Sequence, residues 1–142
     1  LGIGGVAGHA LNNYDRTHCG YFGRLVIDVN YLAVTAACMM VKAADFNAVN
    51  GFDETLEVAF NDVDLCLKVY ELGRYNVYAH QAELYHFESK SRGYEDTPEK
   101  QRRFAGEIKK MQDKWPSYIA HDPFYNDNLT KEGIGDFSLR PD

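Results

Sequence analysis

The stretch Thr35-Ala-Ala-Cys-Met-Met-Val-Lys42 is followed closely by Asn50-Gly-Phe-Asp-Glu54 and Phe60-Asn-Asp-Val-Asp-Leu65. The first belongs to an almost continuously apolar run over 32–42, which predicts a strand buried on both faces of a mainly parallel sheet. The second is a glycine turn, and the third opens an acidic helix. Carboxylates are thereby placed at the end of a strand, where α/β folds commonly build a site. The expected fold class is α/β, a mixed sheet flanked by helices.

Helical signals outward from these stretches predict further elements. A short helix over 43–49 should end at Asn50-Gly51, where glycine can adopt the left-handed conformation. Asn61 is the expected N-cap of a helix over 62–72 that ends before Gly73. A longer helix should begin at Thr97-Pro98 and continue to Trp115. The residues predicted to face the core from the last two helices are Val63, Cys66, Leu67, Tyr70, Phe104, Ile108, Met111 and Trp115.

The remaining segments are less regular. Residues 1–30 are rich in glycine and show neither helical nor strand periodicity. They are predicted to form a loop with short helical turns, including a flexible surface loop over 4–8. Residues 74–79 and 82–86 are predicted to form two short strands.

Composition excludes several classes of protein. The net charge of −6 and the scattered basic residues argue against a nucleic-acid partner. No apolar run reaches the roughly 18 to 20 residues that span a bilayer. The three cysteines form no Cys-x-x-Cys pair, which favours a reducing, cytoplasmic setting. The chain begins at Leu1, and we expect a fragment of a longer polypeptide.

The order of motifs over 4–129 resembles the C-terminal half of an inverting family-2 glycosyltransferase, of the kind that adds rhamnose or related sugars to bacterial surface polysaccharides. The motifs are the three stretches quoted above, Tyr85-His-Phe-Glu-Ser-Lys-Ser-Arg-Gly93 and Asp122-Pro-Phe-Tyr-Asn126. The resemblance implies that 1–142 is the C-terminal half of a single GT-A domain. The nucleotide-binding half of that domain, with its Asp-x-Asp motif, has no counterpart here.

The resemblance also implies the reactants. They are a nucleotide-diphosphate sugar as donor, a glycan or lipid-linked acceptor, and a divalent metal, manganese or magnesium. A cytoplasmic location is expected, with peripheral association at the inner face of the membrane left open.

Asp62 is the candidate catalytic residue. Inverting transfer needs one group to take the proton from the acceptor hydroxyl, and a single carboxylate can do so. Asp62 occupies the position at which the family's acidic pair carries the base, although this chain has Asn61-Asp62 where the family usually has Glu-Asp. The alternative is that Asp62 and Asp64 are first-turn acids that stabilise the helix dipole. The two side chains should lie about 200° apart around a helix.

The other candidates are assigned by the same resemblance. Asp53, Glu54 and Asp64 are expected on the acceptor side of the cleft, although Asp53 could instead satisfy its own backbone in an Asx turn. His86 is the candidate metal ligand, with a packed or surface histidine as the alternative. Arg92 would contact the donor diphosphate, since its planar fork matches phosphate oxygens.

Two other functions remain open. One is a metal-dependent hydrolase in which Asp62, Asp64, His80 and His86 bind the ion. The other is a non-catalytic carbohydrate-binding module, because aromatic residues make up 13% of the chain and flat rings stack on sugars. A binding module predicts exposed aromatic rings, whereas the transferase interpretation places most of them inside.

Overall fold

The computed structural model describes residues 1–12, 14–86, 97–132 and 137–140. Helices α1 to α4 and strands β1 and β2 are joined by loops that contain three short 3₁₀ turns. In chain order the elements are the turns Ile3–Gly5 and Tyr21–Gly23, β1 (Val29–Tyr31), the turn Ala36–Cys38, α1 (Ala43–Ala48), α2 (Asn61–Glu71), β2 (Asn76–Tyr78), α3 (Pro98–Lys114) and α4 (Pro116–Ala120).

The sheet of the described residues consists of β1 and β2, which pair antiparallel with Val29 opposite Tyr78 and Tyr31 opposite Asn76. Strand β2 lies inside the predicted segment 74–79. The prediction of a strand over 82–86 is wrong, because these residues form no strand. The α/β class agrees with these elements, whereas the larger mixed sheet of a GT-A fold stays a prediction.

The apolar run over 32–42 is not a buried strand. Leu32 is buried, but Ala36–Cys38 is an exposed 3₁₀ turn and Met40 is 98% exposed. Thr35 caps this turn by accepting a hydrogen bond from the Ala37 amide at 3.3 Å. Apolar composition favours burial, but a strand also needs a neighbouring strand to satisfy its backbone, and the described residues supply none beside this run.

The predicted helices are present with small changes at their ends. Helix α1 is followed by Asn50 and Gly51, both in the left-handed region. A Cβ at Gly51 would lie 2.8 Å from the Phe46 ring, so a larger residue would clash. Thr97 caps α3 by accepting from the Lys100 amide, as predicted.

The N-terminus of α2 corrects one prediction. Phe60 is the N-cap, with φ 63°, and Asn61 is the first helical residue. The Phe60 ring stacks on Phe104 of α3, with centroids 5.6 Å apart. Phe60 makes this contact while its backbone is in the left-handed region. The helix therefore starts one residue earlier than predicted from the preference of asparagine for the N-cap position.

The core lies between α2, α3 and the segments that precede them. Its buried members are Val6, Leu32, Leu56, Val63, Leu67 and Met111, against which Ile108, Tyr70 and Trp115 pack. The predicted core faces of α2 and α3 are confirmed except at Phe104, which is 37% exposed. The prediction of a flexible surface loop over 4–8 is wrong, because Val6 is fully buried in this core. Within the described ranges, no helix combines the length and apolarity needed to cross a membrane.

Candidate functional site

The segment between α1 and α2 carries most of the predicted site residues, and α3 holds it in place. Glu107 of α3 is buried, and its two oxygens accept hydrogen bonds from the amides of Val58 at 3.0 Å and Ala59 at 3.1 Å. Lys110 donates to the carbonyl oxygen of Thr55 at 2.6 Å. These contacts give the loop a defined path into the first turn of α2.

Asp53 forms the Asx turn. Its Oδ1 accepts from the amide and hydroxyl of Thr55, at 3.0 and 2.8 Å, while Oδ2 lies 3.0 Å from Lys114 Nζ. The hydrogen bonds from Thr55, and then the one from Lys114, lower the pKa of Asp53 to about 2. Both oxygens thus have intramolecular partners, and the geometry favours the local-turn interpretation of Asp53.

Asp64 is completely buried beneath the same loop. Its Oδ1 lies 2.7 Å from Lys114 Nζ and accepts from Trp115 Nε1 at 2.8 Å, while Oδ2 lies 3.3 Å from Lys68 Nζ. Burial alone would lower the pKa of Lys114, but its hydrogen bonds to Asp64 and Asp53 outweigh that effect and raise it. Asp64 therefore joins α2 to the end of α3 and presents no surface to a sugar in this structure.

Asp62 lies at the rim, half-buried in the first turn of α2. Its Oδ2 accepts from the Ala36 amide at 3.0 Å, and its Oδ1 from the Val63 amide at 2.8 Å. Asp62 and Asp64 do not converge, in agreement with the predicted separation around the helix. The contact with Ala36 places the Asp62 carboxylate beside the exposed 3₁₀ turn Ala36–Cys38.

The remaining predicted residues are Glu54, His86 and Arg92. Glu54 and His86 are exposed. Arg92 lies outside the described residues. No three His, Cys, Asp or Glu side chains in the described ranges are arranged to hold a metal ion. The described residues alone thus do not fit a complete divalent-metal site, and His86 could be one ligand among others.

The two alternative functions make different demands on this geometry. The described residues proposed for a hydrolase are not gathered around one point, since Asp64 is paired with lysines and His80 Nδ1 lies 2.7 Å from Asp28 Oδ1. Most described aromatic rings are buried or half-buried, whereas Phe22, Tyr75 and Tyr85 are well exposed.

The structural acid Glu107 is absent from the sequence predictions, because charged residues of an amphipathic helix usually lie on its solvated face. A signal was present. Glu107 lies three residues after Phe104 and four before Met111, which places it on the apolar stripe of the helix. An acid at such a position predicts a buried hydrogen-bond partner.

Two curated proteins are similar to this chain. One is an uncharacterized protein of Sinorhizobium fredii (strain NBRC 101917 / NGR234), y4gI, which is 53% identical over 133 residues. The other is the O-antigen biosynthesis protein RfbC of Myxococcus xanthus, which is 32% identical over 139 residues. The matches cover 93% and 92% of this chain but only 15% and 10% of the relatives. The chain thus spans a small part of the length of the curated relatives it matches.

No family model matches the chain. No solved structure matches it significantly either.

Proposed function

We propose that this chain forms the acceptor side of a glycosyltransferase that acts in polysaccharide biosynthesis. The observation that carries the proposal is the 32% identity to the O-antigen biosynthesis protein RfbC, which extends over 92% of the chain. The order of motifs agrees with this assignment. The donor is a nucleotide-diphosphate sugar, and the acceptor is a glycan or lipid-linked sugar. The transfer inverts the configuration at the anomeric carbon.

Asp62 acts as the general base in this proposal. Asp64 and Glu107 are buried, so neither can meet an acceptor sugar. Asp53 accepts three hydrogen bonds, one of them from Lys114, whereas the half-buried Asp62 accepts only two, both from backbone amides. Its two amide hydrogen bonds orient the carboxylate. Because an ionised carboxylate offers about four lone-pair sites, two hydrogen bonds leave sites for an acceptor hydroxyl. The base takes the hydroxyl proton while that oxygen attacks the anomeric carbon.

The roles of the other residues follow from their surroundings. We leave Asp64 out of the acceptor site because it is buried, and Asp53 because it accepts three hydrogen bonds and its charge is paired with Lys114. Glu54 remains the candidate for binding acceptor hydroxyls. His86 would supply one ligand to manganese or magnesium, and Arg92 would contact the diphosphate. The other metal ligands must come from residues outside the described part of this chain.

The test is Asp62→Asn in the complete protein that contains this chain. The amide preserves the volume but cannot take a proton. Its one oxygen can serve the Val63 amide, and because Ala36 is exposed, water can replace the acceptor that the Ala36 amide loses. We expect the turnover number, measured as release of nucleoside diphosphate at saturating donor and metal, to fall by about 10² to 10⁴. Thermal stability and donor affinity should change little.

Glu57→Gln is the matched control, because Glu57 is an exposed acid in the same segment. It should keep nearly full turnover. Asp64→Asn would be a poor control, since removing one partner of a buried ion pair destabilises a protein by about 3–5 kcal/mol. Similar turnover numbers for Asp62→Asn and Glu57→Gln would show that Asp62 is not the general base.

A further inference from the structure

The segment 32–36 lies beside α2 and is held by two anchors along its backbone. The Leu32 carbonyl accepts a hydrogen bond from Asn76 Nδ2 at 2.9 Å, and Asn76 Nδ2 also donates to the Cys66 carbonyl at 3.1 Å. Cys66 Sγ accepts from the Val34 amide at 3.5 Å and donates to the Val34 carbonyl at 3.6 Å. Burial raises the pKa of the Cys66 thiol to about 11, so the thiol keeps its proton at neutral pH. The segment therefore has a fixed position against the helix.

The next backbone donor along this segment binds Asp62. The first N–H groups of a helical turn have no partner within the turn, and the Ala36 amide, at the start of the 3₁₀ turn, donates to Asp62 Oδ2 at 3.0 Å. The other oxygen, Oδ1, accepts from the Val63 amide at 2.8 Å. The Ala36 amide thus reaches Asp62 from a segment that is anchored independently of it, at Leu32 and Val34.

The Val63 amide alone does not fix the direction of the Asp62 carboxylate. The torsion about the Cβ–Cγ bond of an aspartate is broad and roughly twofold, so either oxygen can accept from that amide. A second donor on the other oxygen selects one of these arrangements and narrows it. The direction matters because a general base must lie within hydrogen-bond reach of the proton that it removes.

We propose that the segment 32–36 positions Asp62 for catalysis through the amide of Ala36. This inference rests on the proposed role of Asp62 as the general base. With Oδ2 held by Ala36 and Oδ1 by Val63, the lone pairs that remain on the carboxylate keep one direction, toward the acceptor hydroxyl. Ala36 is a positioning residue and not a catalytic one, because it acts only through Asp62.

The test removes the N–H of Ala36 and little else. Proline fits the first turn of a helix and lacks the N–H, and Thr35 has the extended backbone, with φ −73° and ψ 142°, that a residue before proline adopts. In the complete protein we expect Ala36→Pro to lower kcat, measured as release of nucleoside diphosphate, by about tenfold to a hundredfold. The KM values for donor and acceptor should stay close to those of the wild type, because neither substrate loses a contact.

Three further proteins separate this effect from a general loss of structure. Ala43→Pro makes the same substitution at the first residue of α1, which also follows an extended residue, and it should turn over as the wild type does. Ala36→Gly keeps the N–H and should lose far less than Ala36→Pro. In the Asp62→Asn background, Ala36→Pro should cause no further loss, because no base remains to be oriented.

Several results would overturn the inference. They are a wild-type kcat for Ala36→Pro, an equal loss for Ala43→Pro or Ala36→Gly, and a full further loss in the Asp62→Asn background. If Ala36→Pro proves unfolded by near-ultraviolet circular dichroism, Thr35→Val decides by the same criteria, because valine lacks the oxygen that caps the turn.

The two proposals fail in different ways. A large loss for Asp62→Asn with none for Ala36→Pro would overturn the positioning role alone. Full turnover by Asp62→Asn would overturn the assignment of the base, and the positioning role with it.

Discussion

At the scale of single residues, neighbours rather than sequence motifs decide what each carboxylate does. Asp53, Asp62 and Asp64 lie close together in the sequence, yet Asp53 closes a turn, Asp64 is buried, and Asp62 remains at the rim. Lys114 accounts for much of the difference, since it contacts both Asp53 and Asp64 from the end of α3. A distant residue thus separates acids that look equivalent in the sequence.

The low pKa of Asp53 predicts a dependence of stability on pH. A carboxyl whose pKa is lower in the folded state stabilises the fold above its unfolded pKa and loses that contribution as pH falls through the folded value. For Asp53 the window runs from pH about 4, its ordinary range, down to about 2. Asp53→Asn keeps an oxygen for the Thr55 amide but loses the charge that faces Lys114.

We expect Asp53→Asn to be less stable than the wild type by about 1 kcal/mol at pH 7, the upper end for a partly exposed ion pair. The difference should shrink steadily below pH 4, be small near pH 2, where Asp53 of the wild type is half-protonated, and vanish only at lower pH. Urea unfolding of both proteins across this range measures it. A difference that stays constant to pH 2 would show that the charge of Asp53 contributes nothing.

At the scale of elements, α3 supports the loop that carries the site. Phe104 stacks on Phe60, Glu107 accepts from two loop amides, and Lys110 donates to a loop carbonyl. Each contact comes from the side of α3 that faces the loop before α2. The first turn of α2, with Asp62, is therefore positioned by a helix that lies more than thirty residues later in the chain.

Glu107→Gln should weaken this support. Glutamine has one acceptor oxygen, so one of the two buried amides, of Val58 or Ala59, would face an NH₂ group instead. Leaving a buried donor unsatisfied costs about 1–3 kcal/mol, and urea unfolding should show a loss of that size. Asp113→Asn is the control on the same helix, because its pair with Lys109 is exposed; it should change stability by less than about 0.5 kcal/mol. Equal losses of stability in the two variants would contradict the proposal that Glu107 supports this loop.

At the scale of the whole molecule, apolar surface stays uncovered where the sequence predicted a buried strand. Met40 is almost fully exposed, and Ala36 and Ala37 are exposed beside Asp62. The described part of the chain also lacks a complete set of metal ligands. The proposed donor needs such a set for its diphosphate.

We therefore expect residues 1–142 alone to show no transferase activity and to bind nucleotide sugars weakly or not at all. The complete protein should transfer sugar under the same conditions, and it serves as the positive control. The measurement is transfer of radiolabelled sugar to acceptor. Turnover by the isolated chain would contradict the proposal that part of the active site lies outside residues 1–142.

Features that depend on residues close together in the chain could be predicted from the sequence. Thr97-Pro98 predicted the start of α3 and Asn50-Gly51 the end of α1, because caps act within a few residues. Helical spacing predicted the core faces of α2 and α3 apart from the exposed Phe104. It also indicated Asp62 as a candidate and placed it on another side of the helix from Asp64.

Contacts between residues far apart in the chain could not be predicted from the sequence and are seen in the structure. The pairing of β1 with β2, the exposure of 36–42, the Asp64–Lys114 ion pair and the contact of Arg24 with the ring of Phe137 all depend on segments distant in sequence. Composition shows that a residue is apolar or charged, but its burial and its partner depend on which other segment packs against it. The same carboxylate can therefore be a structural anchor or a candidate base.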